Sequence, residues 1–196
     1  MRHSLPLRGS RIVGFDEGIM RVVAETRQDA VTRMVRAIGD AGVGLEVLGL
    51  LALAGVAAVV VTRSWRVGAA AAASLLLADL IAHNLKQVIG RPRPSGDLTV
   101  WPEIQGWAMP STHAAATSAL AMAVFLAVNW KSARTRRTAG TALAAAVVFI
   151  GGCMVYLGAH WPTDVLVGWL LGTPVGAAVT WAARRARPNI TQIPRP

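Results

Sequence analysis

Two histidines, a carboxylate and a group of cations stand out in a chain that is otherwise mostly apolar. Lys86 to Pro94 reads KQVIGRPRP, Pro110 to His113 reads PSTH, and His160 to Asp164 reads HWPTD. The first segment supplies positive charge. Lys86 is a point charge, whereas the planar guanidinium groups of Arg91 and Arg93 can each hold two phosphate oxygens. Pro92 and Pro94 fix φ and restrict the residues before them, which suits a guanidinium that must be aimed. In the second segment Pro110 suits a helix start, so Ser111, Thr112 and His113 fall in a first turn whose free backbone N–H groups favour an anion. In the third, Pro162 marks another helix start. Asp164 then lies in the first turn and can reach back toward His160, as in a capping box. A carboxylate on one imidazole nitrogen fixes the tautomer and leaves the other nitrogen free to attack. These are the parts needed to break a phosphate ester by a covalent histidine route.

Each part has an ordinary competitor. Lys and Arg at helix ends snorkel to the membrane edge. Ser111 can be a simple N-cap, His113 a hydrogen-bonded interfacial histidine, and Asp164 a partner of the helix dipole. The combination tells more than any one of them. Asp79, His83 and Lys86 share a helix face at i, i+4 and i+7. Ionisable groups in a span are functional candidates, but a buried polar network that steadies Lys86 is the preferred reading of this trio.

The elements that must position these groups are read from hydropathy. The chain has 196 residues, 54% of them apolar and only 15% charged, with a mean hydropathy of +0.46. Spanning a bilayer takes about 20 apolar residues, and five segments qualify, at roughly 43–62, 67–85, 110–130, 138–159 and 162–183. Residues 12 to 38 mix apolar positions with Arg and acids, which predicts an interfacial amphipathic helix or helical pair. The expected fold class is therefore all-α, an integral membrane bundle of about five spans behind that N-terminal segment. A loose N-terminus (1–11), one membrane domain (12–183) and a basic flexible tail (184–196) divide the chain. The first 40 residues lack the apolar core of a cleaved signal peptide. The single cysteine, Cys153, excludes a disulfide framework or a cysteine metal cluster within one chain.

Helices joined by short loops alternate in direction. The end of the second span, the start of the third and the junction of the fourth and fifth therefore fall on one side, and these carry the three polar segments. Trp101, Trp107 and Trp161 belong to that side, and Trp65, Trp130 and Trp181 to the other, which reads as two aromatic belts. The net charge of +10 does not form one basic face. It marks topology and anionic headgroups rather than nucleic acid. The loops opposite the polar segments are uniformly basic, which favours that opposite side as cytoplasmic and a site facing outward. Seven arginines before residue 40, accompanied by five acids, weigh against this orientation.

Lys86-x6-Arg93-Pro94, Pro110-Ser111-Thr112-His113 and His160-x3-Asp164 resemble the three motifs of the type 2 phosphatidic acid phosphatase superfamily, relatives of the vanadium haloperoxidases. The flank Val155-Tyr156-Leu157-Gly158 and the pair Phe15-Asp16 resemble it too. The likeness covers roughly residues 15 to 183 and implies a metal-independent lipid phosphatase, without cofactor, on a helical bundle. It implies that His160 attacks phosphorus, that Asp164 orients it, and that His113 protonates the leaving oxygen and then activates water. Lys86, Arg93, Ser111 and the Thr112 backbone N–H would stabilise the developing charge.

Two departures stand out. Thr112 replaces the usual Gly of the second motif, adding bulk but keeping the N–H. Cys153-Met154 replaces the usual Ser-Arg of the third, whose Arg grips phosphate. Loss of a charge-assisted contact costs about 1.5–3 kcal/mol, and Arg91 is the candidate to compensate. The expected partner is a membrane lipid phosphate: phosphatidate, phosphatidylglycerol phosphate, undecaprenyl diphosphate or a polyprenyl-linked sugar phosphate. The short build favours a polyprenyl or glycerolipid enzyme of a bacterial plasma membrane. Met154 motivates an alternative, a protein that binds or translocates lipid phosphate with little or no turnover.

Overall fold

The computed structural model describes residues 10–43, 64–101 and 104–186, and every regular element among them is helical. α1 (Ser10–Glu25) and α2 (Asp29–Val43) form an N-terminal pair. α3 (Trp65–Ile89), α4 (Thr112–Ala127), α5 (Ala133–Tyr156) and α6 (Pro162–Arg185) follow, with one 3-10 turn at Gly96–Leu98 between α3 and α4. The all-α class read from the sequence is the observed one. α3, α5 and α6 are long and apolar enough to cross a membrane, and the chain is an integral membrane protein. Residues 44–62 of the first expected span lie outside the described residues.

The boundaries differ from the hydropathy reading for local reasons. α4 is shorter than expected, because the chain leaves the helix at Val128 in an extended conformation and Trp130 folds back to donate its indole N–H to Phe125 O at 2.9 Å. α5 starts earlier, inside the basic stretch expected to be a loop. Ser132 caps it by accepting from the Thr135 N–H at 3.1 Å, and arginine is a good helix former once a cap is in place.

α4 is the central helix, packed against α3, α5 and α6. Its Ala115 and Ala119 are fully buried together with Ala78 and Ala82 of α3. On α6, Gly168, Gly172 and Gly176 form a stripe with a spacing of four. A Cβ on Gly172 would strike the Ala115 carbonyl, and one on Gly176 the Ala119 carbonyl. Small residues let helices approach closely where apolar burial cannot drive them together. Sequence reading passed over this stripe, although it sets the distance between the two helices that carry the second and third polar segments.

Side-chain contacts fix which helix ends coincide. Arg136 of α5 stacks 5.1 Å over the Phe125 ring of α4, and Arg184 of α6 donates to Leu126 O. The ends of α4 and α6 and the start of α5 therefore share one side, and the three polar segments share the other. Tryptophans only partly follow the expected belts. Trp65 and Trp181 are exposed, but Trp101 packs into an apolar cluster with Val35, Leu157 and Val165. The N-terminal pair is amphipathic as expected: Asp16, Met20 and Val35 are buried while Phe15, Val22 and Met34 are exposed. Arg27, at the α1–α2 corner, donates to Tyr156 O at 2.9 Å and Leu98 O at 2.7 Å, which holds the pair at the polar end of the bundle.

The glycine stripe makes a direct prediction. Gly172→Ala forces a methyl group against a backbone carbonyl and should lower stability by about 1–3 kcal/mol, the usual range for over-packing. Thermal unfolding of the detergent-solubilised protein measures this. Gly152→Ala is the control, since a Cβ there meets nothing within 4 Å.

Candidate active site

The first polar segment is shaped by the end of α3. Gly90 adopts a left-handed conformation (φ 61°) and returns its N–H to Lys86 O at 3.0 Å, an ending that favours glycine. The chain then runs back across the α3–α4 connection. Ala108 N–H donates to Arg91 O at 2.8 Å, and the buried Lys86 ammonium donates to Trp107 O at 3.1 Å. The third segment is shaped by Gly158, also left-handed (φ 72°), where a Cβ would strike Leu98 O. The N–H groups of Ala159 and His160 both return to Met154 O, at 3.0 and 3.3 Å. This tight corner presents the His160 ring at the mouth of α6.

His160 is 2% exposed. Its Nε2 lies 3.2 Å from Arg93 Nη1. Arg93 is held in turn by Ala159 O at 2.5 Å and Gly106 O at 3.1 Å. The other ring nitrogen, Nδ1, faces Asp164 Oδ2 at 3.7 Å, too long for a hydrogen bond but close enough for the carboxylate to act on the ring electrostatically. That oxygen accepts instead from the Trp161 N–H at 2.8 Å, the reach-back that the capping pattern predicts. Burial pushes the His160 imidazole down to about 4. Asp164 opposes that shift, while the charges of Arg93 and Lys86 add to it. The ring is therefore neutral at neutral pH, with an unprotonated nitrogen beside a guanidinium. Burial also lowers the Arg93 pKa from its ordinary value, against the pull of Asp164.

The second segment meets the third through the backbone. Ser111 N–H donates to Asp164 O at 3.0 Å. Ser111 is fully buried and its hydroxyl oxygen accepts from Ala114 N–H at 3.3 Å, so it does act as the N-cap of α4. Thr112 and His113 follow in the first turn of α4, and Gly168 of α6 comes against Ser111 O. The three segments thus meet at one end of the bundle, where Arg93 contacts His160, Arg91 contacts Asp164 and Ser111 contacts the Asp164 backbone.

Two expectations need correction. Arg91 does not compensate for the missing third-motif Arg. Its guanidinium spans two buried carboxylates, Asp164 Oδ1 at 2.7 Å and Asp16 Oδ2 at 2.5 Å, and is committed there. Met154 is buried in the apolar cluster with Cys153, Leu157 and Val165. Asp79 and His83 are exposed, whereas Lys86 is buried, so the trio does not form a buried network. Sequence reading also missed Asp16, noted only as part of a family-like pair. An acid four residues before Met20 on the buried stripe of an amphipathic helix was the available signal.

Residues 67–188, more than half of the chain, match the PAP2 superfamily, and the chain belongs to it. Its fold is similar to the crystal structure of a transmembrane PAP2 type phosphatidylglycerolphosphate phosphatase from Bacillus subtilis. That match has a TM-score of 0.75 at 21% identity and covers 93% of this chain and 91% of that one. Aquifex aeolicus LpxE is similar with a TM-score of 0.61 at 20% identity, covering 83% of this chain and 92% of that one. No curated protein matches the chain in sequence.

The His160 environment predicts an acid dependence of stability. The folded value, about 4, lies below the ordinary 6.5, so between these pH values the unfolded chain takes up a proton that the folded chain refuses. The stability of the neutral buried ring is intact above pH 6.5 and is lost as pH falls toward 4. Melting temperatures across this window should fall more steeply for the wild type than for His160→Gln, which has nothing to titrate there.

Proposed function

We propose that this protein is a metal-independent phosphatase that removes phosphate from a lipid phosphate or diphosphate of the polyprenyl or glycerolipid type. The observation that carries the reading is the neutral, buried His160 ring, with Nε2 3.2 Å from Arg93 and Nδ1 toward Asp164. A nucleophile needs a free lone pair, and a phosphate needs a cation beside the point of attack.

The steps follow from that arrangement. His160 Nε2 attacks phosphorus, and the bond from phosphorus to the lipid oxygen breaks. His113 gives that oxygen a proton. Water then attacks phosphorus while His113 takes its proton, the phosphorus–nitrogen bond breaks, and the electron pair returns to Nε2 as phosphate leaves. Lys86, Arg93, Ser111 and the Thr112 N–H stabilise the equatorial charge, and Asp164 steadies the imidazolium character that develops. The single membrane domain runs from 12 to 183. It lies in a bacterial plasma membrane with the site facing outward, because the opposite loops are basic. The similar Bacillus subtilis protein is a phosphatidylglycerolphosphate phosphatase, and its namesake substrate belongs to the class proposed.

A second reading rests on Met154, whose apolar packing leaves the site one cation poorer than the family pattern. In it the chain binds or translocates lipid phosphate without turnover. A panel of lipid phosphates and diphosphates, assayed with chelator present, separates the two. The phosphatase releases inorganic phosphate, His160→Ala abolishes release, and His113→Ala lowers kcat by about 10²–10⁴-fold, the range for a lost general acid. Binding without release, unchanged in His160→Ala, supports the second reading.

A further inference from the structure

We propose that Asp16, on the N-terminal helix, is a positioning residue for the reaction, acting through Arg91 and Thr163 on Asp164 and so on His160. The inference rests on the reading of His160 as nucleophile.

The contacts form a closed frame. Asp16 is fully buried. Its Oδ1 accepts from the Thr163 N–H at 3.1 Å, and its Oδ2 from the Thr163 hydroxyl at 2.5 Å and from Arg91 Nη2 at 2.5 Å. Arg91 Nη1 donates to Thr163 Oγ1 and Asp164 Oδ1, both at 2.7 Å. Asp164 is thereby divided between two tasks. One oxygen is pinned by Arg91, and the other, held by the Trp161 N–H, faces His160 Nδ1. A carboxylate fixed at one oxygen cannot rotate, so the direction of the oxygen beside His160 is set by where Arg91 stands. Arg91 stands where Asp16 and the Trp161 ring, 5.4 Å from its guanidinium carbon, hold it. Outer contacts of this kind orient the groups that do chemistry, and their loss typically costs 10- to 100-fold in function.

Charge balance distinguishes this role from a purely stabilising ion pair. Two buried carboxylates share one guanidinium. Asp16→Asn removes one negative charge and leaves Arg91 paired one-to-one with Asp164. It therefore leaves no unpaired buried ion, which is what makes breaking a buried pair severe. A stabilising role predicts little effect on turnover in the folded variant. A positioning role predicts a loss in kcat, because phosphate contacts are intact while the nucleophile is misaligned.

The full chain in detergent is assayed as wild type, Asp16→Asn and Thr163→Val. The expected result is a kcat roughly 10- to 100-fold lower in Asp16→Asn with KM within about twofold of wild type. Unchanged kcat, or a raised KM with kcat intact, overturns the proposal. If Asp16→Asn is not monodisperse, Thr163→Val, which removes the shared hydroxyl of the same frame, carries the same expectation and the same refutation. Orthovanadate, which adopts the five-coordinate geometry of phosphoryl transfer, is titrated in parallel. It should bind at least tenfold more weakly to Asp16→Asn. Should the wild type release no phosphate, the phosphatase reading fails by itself, and equal vanadate affinity of wild type and Asp16→Asn would then overturn the positioning role separately.

Discussion

A carboxylate buried out of water must be surrounded by donors, and Asp164 collects its carboxylate donors from the first and third polar segments while its backbone carbonyl takes one from the second. Arg91 of the first segment holds Oδ1 and Trp161 of the third holds Oδ2. The backbone N–H of Ser111, in the second, reaches the Asp164 carbonyl. His160 lies against the carboxylate that these contacts fix. Moving the first or the third segment away would leave this ion short of a partner at a cost of several kcal/mol, and moving the second would break the bond from Ser111 to the Asp164 carbonyl. The residue proposed to orient the nucleophile is therefore also the one on which the three segments converge.

The bundle exists to let that convergence happen. The glycine stripe of α6 draws it against the alanines of α4, so that Ser111 comes within hydrogen-bonding distance of the first turn of α6. Gly90 and Gly158 turn the chain at the ends of α3 and α5, and without their left-handed backbones neither Arg93 nor His160 would face inward. The N-terminal pair closes the remaining side. Arg27 clamps it to the backbone at Tyr156 and Leu98, and Asp16 plugs the gap behind Arg91. Chemistry at the bundle end and packing along its length are thus one problem, solved by small residues where helices cross and charged residues where they stop.

Much of this was legible in the sequence, for identifiable reasons. Hydropathy gave the helices, because a bilayer demands long apolar runs. Alternation of direction gave the shared side of the three segments without any knowledge of packing. Pro162 and Asp164 gave the capping geometry, because Pro and a reaching carboxylate have few uses elsewhere. What escaped the sequence depends on tertiary contact. Arg91 looked as free as Arg93, since nothing in KQVIGRPRP says that the first guanidinium meets Asp16 some 75 residues earlier. Asp79 and His83 share a spacing with Lys86, but periodicity cannot say which flank of a helix faces the bundle. Trp101 was read as an anchor at the membrane edge, because a tryptophan in a loop does not announce that it will fill an apolar cluster.

In the proposed reaction His160 is the nucleophile of a covalent step at a site assembled by Asp164. Mixing the full chain with a lipid phosphate labelled in its phosphate, quenching in alkali within the first turnover and mapping the label tests it most directly, because a phosphorus–nitrogen bond survives alkali and is lost in acid. An acid-labile label is expected on the peptide that contains His160, and none in His160→Ala. A protein that releases phosphate without such a label, or that carries it on another residue, would contradict it.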